Sequence, residues 1–242
     1  MSPKLALQPI IFGTQTQINL PGVLASIHRA GYAGVELGRA ALAQPQAKEL
    51  LTKNNLTLSG VHSPYADLVN DAARAEMVAG LVRLGGKYLL CSGVADREHI
   101  AGYEQSAVLF DRVGAECQKA GLTFCYHNHA WEFAPLEGGL KGIHRLAELT
   151  DPALVKLNVD VYWVHIGGED PAAFIRRYAN RVGYYHFKDG RPGEFLPLGQ
   201  GEMNLRAALA AALEAGADWI VYEQDRPKVS PEEDAIASRV FL

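Results

Sequence analysis

The sequence predicts an α/β protein folded as a single (β/α)8 barrel, and three observations carry that prediction. Apolar runs of four to seven residues recur along the whole chain, each following a helical pattern that stops at a small residue plus Gly or Asn. Eight such units of about 30 residues fill residues 1–242, with no linker, low-complexity tract or composition break to divide them into two domains. Polar residues gather at the ends of the runs, where parallel sheets bind ligands, instead of alternating along them as on a half-solvated strand.

The elements follow in order. KLALQPIIF, residues 4–12, is the first strand. A helix over 20–29, with Pro21 in its first turn, leads through Ala30-Gly31 into YAGVEL and Glu36. Pro45 opens a helix over 45–53, and Asn54-Asn55 precede LTLSGV and His62. The helix over 71–84 ends at Gly85-Gly86 before KYLLC, and the helix over 104–119 ends at Ala120-Gly121 before LTFCY. That fifth run turns abruptly polar in His127, Asn128 and His129, with Glu132 one turn on. A helix over 140–149 precedes ALVKLNV and Asp160, and a helix over 171–178, opened by Glu169-Asp170-Pro171, precedes RVGYY and His186. Helix 205–214 precedes ADWIVY and Glu223, and helix 231–239 closes the series. The longest loops, 62–70 and 188–204, both follow strand ends; the second is rich in Gly and Pro and reads as a rim loop or lid.

Composition narrows the function classes. Hydrophobic residues make up 48% and charged residues 21%, an ordinary globular balance that argues against disorder. A net charge of -4 offers no basic field, so no nucleic-acid partner is expected. Cys91, Cys117 and Cys125 have no CxxC spacing, which argues against a zinc ribbon and a disulfide framework and fits a reduced, cytoplasmic compartment. The N-terminus lacks the pattern of a signal peptide, and no apolar run approaches the roughly 18 residues of a membrane span. A soluble, unprocessed, cytoplasmic protein is therefore expected.

Function is written at the strand ends. Glu36, His62, His127, His129, Asp160, His186 and Glu223 come from six different strands and point into one opening. Mixed carboxylates and imidazoles suit a divalent metal such as Mn, Co, Zn or Fe, whereas an all-oxygen set suits Mg or Ca. Each residue has a plainer reading beside this one. A lone strand-end histidine such as His62 is more often a hydrogen-bonded structural residue. Asp160 ends an apolar strand beside aromatics and needs a partner cation, metal or basic side chain. His186 and Lys188 share a face of one strand and also suit a salt-bridged edge, and Arg226 is an alternative partner for Glu223. Trp131 and Trp163 are core or rim aromatics, although aromatic walls also suit sugars. The glycines of LGQG lack the dinucleotide-binding spacing.

AGYAGVELG, SGVHS, CYHNHAWEF, LNVDVYW, YYHFKD, LGQGEMN and VYEQD resemble the sugar phosphate isomerase/epimerase family of xylose isomerase-like TIM barrels. That group includes inosose dehydratases, ketose 3-epimerases and hydroxypyruvate isomerases, and is distantly similar to endonuclease IV. The resemblance covers essentially the whole chain. It implies one divalent ion, Mn, Co, Zn, Fe or Mg, held by Glu, Asp, His and Glu from the last four strands. Asp160, His186 and Glu223 match three of these positions. The fifth strand lacks the family's glutamate, and the missing donor is assigned to Glu132, with His127 or His129 as the alternatives. Glu132, Glu223, His127 and Lys188 are the implied catalytic residues, and Glu36, His62, His129 and Trp163 the implied substrate contacts.

The implied reaction is isomerisation or epimerisation of a ketose, keto-sugar or keto-cyclitol by proton abstraction beside the carbonyl. Dehydration through the same intermediate is the alternative, and an endonuclease IV-like hydrolase or a non-catalytic sugar-binding barrel are the remaining classes. The endonuclease would need a histidine where Trp163 stands and an Asp-x-His where Glu202-Met203-Asn204 stands. The only strand-end features able to cradle a phosphate are Lys188, Arg191 and the Gly199 to Gly201 loop, which favours an unphosphorylated substrate. Barrels of this kind frequently form homodimers, and no sequence patch marks an interface.

Overall fold

The computed structural model describes residues 2–242. Its strands are β1 (Lys4–Leu7), β2 (Gly34–Gly38), β3 (Thr57–Pro64), β4 (Tyr88–Ser92), β5 (Thr123–His127), β6 (Val155–Asp160), β7 (Val182–Phe187), β8 (Asp189–Arg191), β9 (Glu194–Leu196) and β10 (Trp219–Tyr222). Eight of them close into a barrel in which β1 to β7 follow chain order and β10 joins β7 to β1. Every pairing in the barrel is parallel. The (β/α)8 expectation therefore holds in its topology.

Local chemistry starts the crossover helices where the sequence places them. Asn19, Asn70, Asp170, Asn204 and Ser230 each accept a hydrogen bond from a backbone N–H three residues on, at 2.7–3.2 Å. Such a cap contributes about 1 kcal/mol. Helices Leu20–Arg29, Asp71–Leu84 and Leu205–Glu214 keep the expected bounds, whereas the fourth predicted helix begins earlier, as Ile100–Lys119.

Strand periodicity stacks the interior in layers. Ala6, Tyr88, Leu90, Cys125, Tyr184, Trp219 and Val221 form one buried apolar cluster. Ser92, His127, His186 and Glu223 each lie two residues beyond a member of it, so the same strand faces turn from apolar to polar at the C-terminal mouth. Gly34 makes room for the lowest layer: a Cβ there would lie 2.6 Å from the Trp219 ring.

Four local expectations are corrected. Only Lys4–Leu7 of the first run is strand; Pro9–Phe12 is a 3-10 turn, because Pro9 has no N–H for the ladder and the Gln8 side chain accepts from Ile10 N at 2.6 Å. Pro45 precedes its helix, which begins at Ala47. β3 runs on to Pro64 and is followed by a short helix, Tyr65–Val69, so most of the 62–70 loop is regular structure. The 188–204 loop carries the β8/β9 antiparallel hairpin.

Asp189 organises that last loop. Its carboxylate accepts from the backbone N–H groups of Gly190, Gly199, Gly201 and Met203 at 2.8–3.3 Å. A Cβ on Gly201 would lie 2.1 Å from Asp189 Oδ1, so glycine is required there for close backbone approach. The glycines of LGQG therefore serve an internal anion. Among the described residues, no helix is long and apolar enough to cross a membrane, and Cys91, Cys117 and Cys125 are free and buried.

Candidate active site

Glu36, His62, His127 and Glu223 meet at the C-terminal mouth and line a cavity of about 640 Å³ together with Ser92, His129 and Asp225, while His186 lies against Glu36 and Glu223. Its outer wall is the 8–20 segment and the tips of β2 and β3, including Ile10, Leu20, Leu37 and Pro64.

Asp160 ends β6 and caps the helix Val161–Ile166: its Oδ1 accepts from Trp163 N at 3.1 Å. Asn128 clamps the strand end beside it, its Oδ1 accepting from Asp160 N at 3.1 Å and its Nδ2 donating to Asp160 O at 3.3 Å. That leaves Asp160 Oδ2 turned inward without a hydrogen bond. His186 Nδ1 and Glu223 Oε2 lie 2.6 Å apart, yet neither forms a hydrogen bond. Donor atoms of His127, Asp160, His186 and Glu223 all fall within 4.8 Å of one another.

Buried polar atoms that lack a hydrogen bond are costly, and three of them within one donor group fit a cation. The donor set has the chemistry of a mixed N/O divalent site. Burial, reinforced by the neighbouring His186 and His62, pushes His127 well below the usual histidine range, so it presents a neutral imidazole as a ligand must.

The electrostatics of the cluster are coupled through Glu36 and Lys188. Burial raises the Glu36 carboxyl, but His186 and His62 outweigh it and hold it below the ordinary value. Burial likewise raises Glu223, and Lys188 and His186 hold it well below. His186 responds in kind: burial lowers it, while Glu36 and Glu223 carry it up to about 10. Asp160 is pushed up to about 6 by burial, against the pull of Lys188. His129, stacked on Trp131 at 5.7 Å, falls to about 4 through burial and the Lys188 charge.

Three sequence expectations are not met by this geometry. Glu132 sits on the single turn Trp131–Phe133, which directs its carboxylate away from the donor group: Oε1 accepts from Tyr126 Oη and Oε2 from His129 N, both at 2.7 Å. His127 stands in the place expected for it. Lys188 is fully buried and does not line the cavity; its Nζ lies 2.6 Å from Glu223, 2.8 Å from Asp225 and 3.5 Å from Asp160. Trp163 also stands off the cavity and covers Lys188, with Nζ 4.9 Å from its ring. Glu223 pairs with Lys188 and His186, not with Arg226.

Sequence reasoning passed over Asn158, Asp225 and Ser92. Asn158 bridges toward His127 Nδ1 at 3.2 Å, and period two from Asp160 marks it as inward. The same spacing from Glu223 marks Asp225.

Glu132 makes a pH prediction. Burial, opposed by the Tyr126 hydroxyl, raises its carboxyl to about 8, against roughly 4.3 in an unfolded chain. A raised acid binds its proton more tightly when folded, so its contribution is full below about pH 4 and is lost as pH climbs toward 8. Glu132→Gln removes that slope. Urea unfolding at pH 5 and pH 8 should show the variant gaining on wild type by on the order of 3 kcal/mol; parallel curves at both pH values would rule the raised pKa out.

The sequence from residue 24 to residue 242 matches the xylose isomerase-like TIM barrel family. The chain belongs to that family. Within it, an inosose dehydratase of Lacticaseibacillus casei is 26% identical, over 88% of this chain and 85% of its own. A sugar phosphate isomerase/epimerase from Parabacteroides distasonis superposes with a TM-score of 0.86 at 22% identity, over 100% of this chain and 94% of its own. The IOLI protein with a bound zinc atom superposes with a TM-score of 0.74 at 15% identity, over 98% and 95%. The structural likenesses show the shared xylose isomerase-like fold.

Proposed function

We propose that this chain is a divalent-metal-dependent enzyme that removes the proton beside the carbonyl of an unphosphorylated keto-sugar or keto-cyclitol. The observation that carries the reading is the convergence of His127, Asp160, His186 and Glu223, three of whose donor atoms lack any hydrogen bond. These four residues would hold the ion, and their imidazoles favour Mn, Co, Zn or Fe over Mg. Bound there, it supplies Lewis-acid polarisation of the carbonyl.

The rest of the chemistry belongs to side chains. Glu223 lines the cavity as an ionised carboxylate and takes the proton from carbon. His62 lines the same cavity with Glu36 at Nδ1, 3.0 Å, and Ser92 at Nε2, 3.1 Å. It delivers a proton in return, and proton exchange with solvent in the cavity resets Glu223 and His62. Delivery to the neighbouring carbon is isomerisation, delivery to the opposite face of the same carbon is epimerisation, and delivery to a departing β-hydroxyl is dehydration.

Dehydration is a second reading with its own support. Glu132 is turned away and the Glu36 and Asp225 carboxylates on the cavity are engaged by His186, His62 and Lys188, which leaves the imidazoles of His62 and His129 to complement Glu223. Such an unlike pair suits elimination or isomerisation better than a symmetric two-carboxylate epimerisation. The Lacticaseibacillus casei relative is an inosose dehydratase. The preference for an unphosphorylated substrate rests on the lining, which includes no lysine or arginine among the described residues, and on the Gly199 and Gly201 N–H groups, which Asp189 already occupies.

Elemental analysis of the purified protein, paired with solvent-deuterium exchange on a panel of ketoses and keto-inositols, tests the reading. About one ion per chain and deuterium at the carbon beside the carbonyl are expected, and loss of water from the product marks the dehydratase. No ion and no exchange after metal addition would overturn it.

A further inference from the structure

We infer that Glu36 is the positioning residue that selects which nitrogen of His186 faces the ion site. The inference rests on the metal reading above. Glu36 belongs to β2, with β1 and β10 standing between it and β7, so its side chain reaches across the barrel mouth to His186. The carboxylate is fully buried and forked: Oε2 meets His186 Nε2 at 2.7 Å and Oε1 meets His62 Nδ1 at 3.0 Å. His62 is held in turn by Ser92 Oγ at 3.1 Å, which fixes the fork from its far side.

An imidazole that ligates an ion has given up the proton of the ligating nitrogen and keeps the other, and the partner of that other nitrogen decides which one is given up. A carboxylate can only accept. It therefore keeps the proton on Nε2, so the proton that an ion displaces is the one on Nδ1, the atom that faces Glu223 Oε2 at 2.6 Å. The other polar group near Nε2 is the Asn158 amide nitrogen at 3.4 Å. A donor in that position favours the opposite tautomer, with the proton on Nδ1. Glu36 is thus the group that keeps the ion-facing nitrogen free.

The test uses the full chain with zinc, which is diamagnetic. Affinity is read by chelator competition, and the His186 tautomer by nitrogen-15 NMR of histidine-labelled, zinc-loaded protein. The wild type should show His186 protonated on Nε2 and zinc-bound through Nδ1. Glu36→Ala should weaken zinc binding about 10- to 100-fold, as loss of a ligand's hydrogen-bond partner does. Glu36→Gln, whose amide oxygen still accepts from Nε2–H, should recover most of that loss. Zinc bound through Nε2 in the wild type would overturn the inference, as would a folded Glu36→Ala chain of unchanged affinity. If Glu36→Ala fails to fold, the wild-type tautomer decides alone. A wild-type chain that binds no zinc or other divalent ion would instead overturn the metal reading, and this inference with it.

Discussion

His127→Ala should strip the chain of its metal, while Glu132→Gln should leave metal content at the wild-type level. The two substitutions separate the family-like expectation, a carboxylate from the fifth strand, from what the folded chain offers. Both Glu132 oxygens are already engaged, by Tyr126 Oη and His129 N, and turning either toward Asp160 would leave a buried donor unpaired. His127 needs no rearrangement, because its donor atom already stands within 4.8 Å of those of Asp160, His186 and Glu223. Removing a direct ligand should cost more than the roughly 10- to 100-fold typical of an outlying partner. Elemental analysis after dialysis against metal measures it, with Asp160→Asn, His186→Ala and Glu223→Gln expected to lose metal as well. His28→Ala, on an exposed helical position, is the control. Stoichiometric metal in His127→Ala together with loss in Glu132→Gln would return the fourth position to Glu132.

The placement of the strand-end side chains was legible where a single periodicity governs both strand and mouth. His127, His186 and Glu223 lie at period two from Cys125, Tyr184 and Val221, so an apolar interior and a polar mouth follow from one alternation. It was not legible where the chain leaves the strand. The direction of Glu132 depends on a 3-10 turn of three residues, and no spacing rule specifies which way such a turn sends a side chain. Lys188 lies deeper than its strand position implies, for another reason. Its face was legible from His186, but its depth was set by Trp163 and by the hairpin that brings Phe195 over it, and these are long-range arrangements. Asp189 went unremarked because its partners are backbone N–H groups, which leave no trace in the sequence beyond the glycines that admit them.

Lys188→Met should lower the melting temperature of the metal-free chain by about 10 °C, and added metal should restore part of that loss. Four buried or partly buried carboxylates, Glu36, Asp160, Glu223 and Asp225, surround the mouth, and Lys188 lies against three of them. Burial lowers the lysine, but Glu223, Asp160 and Asp225 outweigh it and raise it, so it stays charged. Methionine keeps the stem and deletes the charge, which leaves a set of like charges with one cation fewer. Breaking a buried ion pair in this way costs about 3–5 kcal/mol, and about 1 kcal/mol moves the midpoint of a chain this size by roughly 2–4 °C. A divalent ion held by Asp160 and Glu223 would bind the native state, so saturating Mn(II) should recover several degrees by mass action. Thermal melts of wild type and variant in EDTA and in Mn(II) give the comparison. A lysine that worked only on substrate would leave both melts unchanged and depress turnover alone; a lysine that holds the ligand carboxylates in place cannot be removed without the melt registering it.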